Sequence, residues 1–473
     1  MGRVISQVKY DLLLRGGHVV DPASGMDEVA DVGIKSGSVE RVEPEIDPAQ
    51  AGAIWDLEGL LVMPGIVDLH VHTSRRHKGY NAHRMMARAG VVTALDMGGP
   101  WDEFLEFCRA DGAGLNMACL EQVRPGLTVE DVDPSAGEIQ DLLDRSLLAG
   151  AIGLKILGGH YPMSPGATRR IIEACNREKV HVAFHSGTTE TPGNIDGLIE
   201  SVELAGDLRL HIPHINSYCR GSTGVSLEEA YRALKALKGR DNLFTESYLA
   251  TINGTSGRCI QGVPESHATR RCLEEGGYEP TQAGLERAIR ESYTRVGMEY
   301  GDENINVTGE KGVQVWSLAD TVVSVNFPVN SPESRFLCAV AKDEEGDFVV
   351  DAIATDGGGH PRNVAVEFGL GLVRAEGLTL SEFVQKASYT PAMILGLLNK
   401  GHLSPGADAD ITVADLETCQ PVMAFNAGRL IMHGGAVVGS GTRIITTERG
   451  LSSVGETGLE AYEVDSREGL FYA

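Results

Sequence analysis

Between residues 65 and 400 the chain repeats one pattern: a short apolar run, then a longer stretch with apolar positions three and four apart. The apolar runs are "GIVDLHVH", "VVTALDMG", "LNMACLEQV", "AIGLKILGG", "VHVAFHSG", "LRLHIPHIN", "NLFTESYL" and "FVVDAIATDGGG". Strands alternating with helices in this way predict an α/β fold, a (β/α)8 TIM-like barrel. The two ends have a different texture. Residues 1–64 and 401–449 read as short strands punctuated by Gly, Pro and Asp turns, such as "YDLLLRGGHVVD" and "GADADITVADLE". They are expected to meet as one small β-sandwich interrupted by the barrel of residues 65–400. Residues 262–347 exceed what a barrel unit needs and are read as an insertion beside the site, in the manner of a lid. Within it, "TQAGLERAIRESYTRV" predicts a helix and "RFLCAVAKDEEGDFVVD" a hairpin. Residues 450–473 read as a polar tail with an aromatic tip.

Composition narrows the function. A chain of 473 residues with 42% apolar and 23% charged residues is an ordinary globular protein. A net charge of −25 argues against a nucleic-acid or anionic-membrane partner. The first residues show no secretory pattern, and no apolar run reaches bilayer length, so a cytoplasmic protein is expected. Met1, Gly2 and Ser6 loosely fit a myristoylation pattern, a frequent chance match. The eight cysteines are scattered without a Cys-x-x-Cys pair and are expected to be reduced and mostly buried; Cys219 stands out because it follows His214 by five residues.

His70 and His72 end the first strand on one face, since successive strand side chains alternate. Two adjacent imidazoles suit a metal better than a packed core. Functional groups of such a barrel sit at the C-terminal ends of its strands. There the fourth strand offers Lys155, the fifth His185, the sixth His211 and His214, and the eighth Asp356. Five strands delivering ligand-type residues to the same end point to a metal centre. His181 lies too early in its strand and is expected to be structural.

With "PGIVDLHVH" at its entry and "SYTPAMILGLLNKGHLSPGADADITVADL" at its close, this constellation resembles the amidohydrolase superfamily, in particular its dihydroorotase, hydantoinase and dihydropyrimidinase branch. The resemblance implies a binuclear centre of two divalent metal ions, zinc first, with manganese, cobalt or iron as alternatives. It assigns His70, His72 and Asp356 to one metal and His185 and His214 to the other, bridged by carbamylated Lys155. His214 is preferred over His211 because it lies nearer the strand end and precedes a small polar pair, as the branch's ligand does. A lysine buried among apolar neighbours has a lowered pKa, so its free amine can capture carbon dioxide. A water between the metals would then attack an amide carbonyl, with Asp356 moving the proton to the leaving nitrogen.

The loops depart from the branch. Where dihydropyrimidinases have a tyrosine that holds the tetrahedral intermediate, this chain has His160, with Tyr161 next; either takes that role. Asn216, Arg220 and Asn253 are further candidates for substrate contact. His360 keeps the spacing of a substrate-binding histidine of dihydroorotases, and Arg362 beside it suits a carboxylate or imide oxygen. The "HPR" is also similar to N-acyl-D-amino-acid deacylases, which lack the bridging lysine. The expected reaction is hydrolysis of an amide C–N bond in a cyclic amide or ureide. Alternatives are an N-acyl-(D-)amino acid or another linear amide, urea or carbamate, then deamination of a heterocycle, then a metal-free scaffold. The expected partner is a small-molecule amide, and relatives suggest a homo-oligomer, dimer or tetramer.

Overall fold

The computed structural model describes residues 8–74 and 81–472; the Met1–Ser6 pattern lies outside them. Eight parallel strands form the barrel: Ile66–His72, Val91–Met97, Ala113–Val123, Gly153–Leu157, His181–His185, Leu210–Ile212, Leu243–Tyr248 and Ala352–Ala354. Closure is made by the eighth strand. Ala352–Ala354 pairs with the seventh strand, and three residues on Gly357–Gly358 pairs with the first. Asp68 staples this seam, its carboxylate accepting from the Thr355 hydroxyl (2.5 Å) and the Thr355 amide (3.1 Å). The aspartate two residues before His70 therefore closes the barrel.

The helices between strands start where their sequences can satisfy free amides. Ser135 accepts from the Glu138 amide to open Ala136–Ala149, and Ser164 accepts from Ala167 ahead of Pro165 to open Pro165–Glu178. Each turns an apolar face inward, for example Leu142, Leu143 and Leu147, against Leu154, Ile156 and Phe184.

Strands from both chain ends share one nine-stranded sheet, joined where Leu61–Pro64 pairs antiparallel with Ile411–Asp415. Gly441–Thr446 leaves that sheet: it pairs in parallel with the third barrel strand and with Glu460–Glu463. The expected polar tail is thus built into the barrel wall. Its tip, Phe471, is buried against Phe244 and His181, with ring centroids 4.9 and 4.3 Å away.

With Asn253–Ser256, which precedes the expected start at residue 262, the insertion forms an antiparallel four-stranded sheet, in the order Asn253–Ser256, Ser324–Phe327, Arg295–Tyr300 and Glu303–Val307. It has a core of its own around Leu285, Ile289, Trp316 and Phe327. The helix expected over 281–296 ends at Arg290, and Arg295 begins a strand. The expected hairpin is instead the helix Pro332–Val340, opened by Pro332 and capped by the Ser331 hydroxyl. A short apolar run is ambiguous between strand and helix, and here the Ser-Pro start decides. Only the turn survives, as a bridge between Lys342 and Phe348. No described helix is long and apolar enough to cross a membrane.

Candidate metal centre

Five strand ends converge on one cavity of about 210 Å³, lined by His70, His72, Lys155, His185, His214 and Asp356 among others. His70 Nε2 and His72 Nε2 lie 3.5 and 3.0 Å from Asp356 Oδ1. His214 Nε2 and His185 Nδ1 face each other at 3.1 Å. Ligand atoms at roughly 2.0–2.1 Å from a tetrahedral ion are separated by about 3.3 Å, so both groups have the spacing of a ligand set. Burial lowers the pKa of His70, His185 and His214 well below the ordinary value, which keeps their lone pairs available.

Backbone strain marks two of these positions. His214 (φ 42°) and Asp356 (φ 52°) are both left-handed, a conformation that β-strand ends seldom impose on residues with a side chain. Close packing marks a third. A Cβ on Gly159 would lie 2.0 Å from His185 Nε2, so only glycine lets the loop after the fourth strand pass over that ring. Tyr218, whose hydroxyl accepts from the Ser186 amide at 2.9 Å, packs beside His185 and His214.

Lys155 is fully buried, and its Nζ contacts Met97 Sδ at 3.3 Å. Burial brings its pKa down to about 7 against the pull of Glu246 and Asp356, so a free amine is present near neutrality. Burial alone would raise the Asp356 pKa, but Arg362, His70 and His72 outweigh it and hold the carboxyl well below the usual range. The Arg362 contact is direct, Nη2 to Oδ1 at 2.8 Å, with both side chains buried.

The other candidates divide. His160, Tyr161, Asn253 and His360 line the cavity. Asn216 and Arg220 face away from it. Asn216 Oδ1 accepts from the Tyr248 amide, and Arg220 donates to the Tyr248 hydroxyl (3.0 Å) and to Asn330 Oδ1 (3.1 Å). Tyr248 in turn lies under the Arg362 guanidinium, 5.3 Å from ring centroid to Cζ. These residues therefore support the arginine that holds Asp356. His211 lies below the cavity, its Nδ1 3.1 Å from His181 Nε2.

Glu246 was missed in the sequence. Its Oε1 lies 2.7 Å from His70 Nδ1, both side chains being buried, and so turns His70 Nε2 toward Asp356. A carboxylate on the far nitrogen of a histidine is the usual support of a metal ligand. Burial pushes Glu246 well above the ordinary carboxyl range. The one charged residue inside the strand "NLFTESYL" was the available signal. Arg124 was missed too: it lines the cavity, stacks 3.9 Å from the Tyr161 ring and pairs with Glu265 of the insertion at 3.1 Å.

A model of the amidohydrolase family matches residues 267–440. With the relatives below, this match indicates a hydrolytic enzyme acting on carbon–nitrogen bonds other than peptide bonds. A dihydroorotase of Pelotomaculum thermopropionicum is 27% identical over 446 residues, covering 87% of this chain and 90% of that protein. Among solved structures, a D-aminoacylase described for its binuclear metal center is similar at TM-score 0.64 and 17% identity, covering 92% of this chain and 99% of that one. A D-hydantoinase is similar at TM-score 0.58 and 15% identity, with 92% and 98% covered. At these identities the two structures speak for the fold, and the expected barrel holds.

Proposed function

We propose that the chain hydrolyses the amide C–N bond of a cyclic amide or ureide at a binuclear metal centre. The observation that carries this is the gathering of His70, His72, Lys155, His185, His214 and Asp356 around one cavity. In this reading His70, His72 and Asp356 hold one divalent ion and His185 and His214 the other. Lys155, carbamylated by carbon dioxide, supplies the anionic bridge that a buried, neutral amine can become. The donor spacings and the low-pKa imidazoles fit such ions, with zinc as first choice. Bound there, the metals lower the pKa of water and polarise a carbonyl oxygen.

The chain's own residues do the rest. Asp356 is ionised and takes the proton of the attacking water, then delivers it to the leaving nitrogen. Arg362, held by Tyr248 and by the Ile252 carbonyl, fixes the direction of that carboxylate. Glu246 fixes the ring of His70. Tyr161, Asn253 and His360 surround the substrate, and His160 touches it from the loop after the fourth strand.

The relatives named dihydroorotase support the cyclic reading. The insertion and the likeness to D-aminoacylase favour a second one, an N-acyl-amino-acid substrate. A hydrolysis screen of metal-loaded protein on hydantoins, dihydropyrimidines, imides, N-acyl amino acids and ureas separates them. Turnover of the ring compounds is expected; turnover confined to N-acyl amino acids would replace the first reading by the second.

A further inference from the structure

His160 leads into a chain of hydroxyls that belongs to the insertion. Its Nδ1 lies 3.0 Å from Ser266 Oγ, Ser266 Oγ lies 3.1 Å from Thr255 Oγ1, and Thr255 Oγ1 lies 3.1 Å from Thr269 Oγ1. The chain ends where Thr269 donates to the Ser256 carbonyl at 2.6 Å. These are four hydrogen bonds and three hydroxyls. Each hydroxyl has one proton, and a carbonyl oxygen only accepts. Thr269 must therefore give its proton to Ser256, Thr255 to Thr269, and Ser266 to Thr255. The bond between Ser266 and His160 is left to the proton of the imidazole.

We propose that this relay fixes His160 as the Nδ1–H tautomer, so that its Nε2 meets the substrate as a hydrogen-bond acceptor. The ring sits 4.8 Å from that of His185 and shares the cavity with His72 and Lys155. A neutral ring with its only proton on Nδ1 has nothing to donate on the other side. The role expected for His160 in place of the dihydropyrimidinase tyrosine, donation to the oxygen of the tetrahedral intermediate, is closed to it. What Nε2 can bind is an N–H. The ureide rings under "Proposed function", hydantoins and dihydropyrimidines, present one at the nitrogen that is not cleaved, and this inference rests on that reading for its substrate.

The placement of the relay fits a positioning device. Ser266 occupies the N-cap of the helix His267–Glu275 yet makes no cap bond, its hydroxyl being committed to the relay. Thr269 lies in that helix, outside the cavity lining, and Thr255 lies in the strand Asn253–Ser256. Strand and helix of the insertion thus set the proton on a side chain of the barrel.

The test is nitrogen-15 NMR of the metal-loaded protein labelled at histidine, with His160 assigned by its loss in His160→Gln. The expected spectrum has Nδ1 protonated and Nε2 bare. A protonated Nε2, or an Nε2 shifted by metal coordination, overturns the proposal. Thr269→Val removes the end of the relay without touching the cavity, and both tautomers should then appear. Should that variant not fold, Thr255→Val cuts the relay one step nearer. Kinetics on hydantoin and its two N-methyl isomers give the second readout. The isomer lacking the recognised N–H should lose at least about tenfold in kcat/KM in the wild type, and Thr269→Val should shrink that preference. An unchanged preference in a variant with mixed tautomers contradicts the acceptor role. Failure to hydrolyse any hydantoin would count against the cyclic-amide reading, while the spectrum still decides the tautomer.

Discussion

The fifth and sixth barrel strands and the turn after the sixth carry two pairs of histidines with the same spacing and opposite meanings. His185 and His214 face each other at 3.1 Å beside Lys155 and a cavity; His181 and His211 face each other at 3.1 Å beneath them. The upper pair adjoins Tyr218 and a glycine that makes room for a ring, and one member has strained backbone. The lower pair lies under Phe471, with no carboxylate contact among the described residues. Burial lowers the pKa of all four rings. In this reading, what separates a ligand from a packing residue is its level in the barrel and the anionic groups at that level.

The sharpest way to break the comparison is to remove the anion of the upper level. Lys155→Ala should lose metal and activity by orders of magnitude, partly restored by acetate or propionate, as read by elemental analysis and turnover. Metal content equal to wild type would show that the upper histidines need no bridge. Asp356→Asn keeps the shape of the side chain and should lower kcat roughly 10²- to 10⁴-fold with the fold intact by circular dichroism. Glu246→Gln keeps a hydrogen bond to His70 but not the charge. A loss of about 10- to 100-fold in metal affinity, measured by competition with a chelator, is expected.

The lower level should answer differently. Phe471→Ala is expected to cost about 3–5 kcal/mol in denaturant unfolding and to leave kcat and metal content unchanged. His181→Phe tests the same level by pH. Burial holds the His181 pKa at about 3, below the 6.5 of an exposed ring, so the unfolded chain binds more protons between these values. Stability therefore falls as pH drops through that window, and the variant should show a shallower fall. A loss of metal in either variant would erase the distinction between the levels.

Much of this division was legible in the chain. Parity along "DLHVH" puts His70 and His72 on one face, and the late positions of His185, His214 and Asp356 put them at one end. Asp68 shares their parity but is taken up by Thr355, because strand closure brings residue 355 against it, a long-range contact invisible to local pattern. Asn216 and Arg220 looked like recognition residues because polar side chains after a ligand usually are; the fold turns them to Tyr248. The insertion was the least legible part. Its strands, such as Glu303–Val307, alternate weakly, and Ser-Pro chemistry made a helix where apolar residues suggested a hairpin.

The central claim is that the upper level holds two ions bridged through Lys155. Elemental analysis of the chain reconstituted with excess zinc and bicarbonate, together with intact-protein infrared detection of the carbamate, tests it most directly. Two zinc ions per chain and a carbamate band absent from Lys155→Ala are predicted; one ion or none, with no such band, would contradict the account.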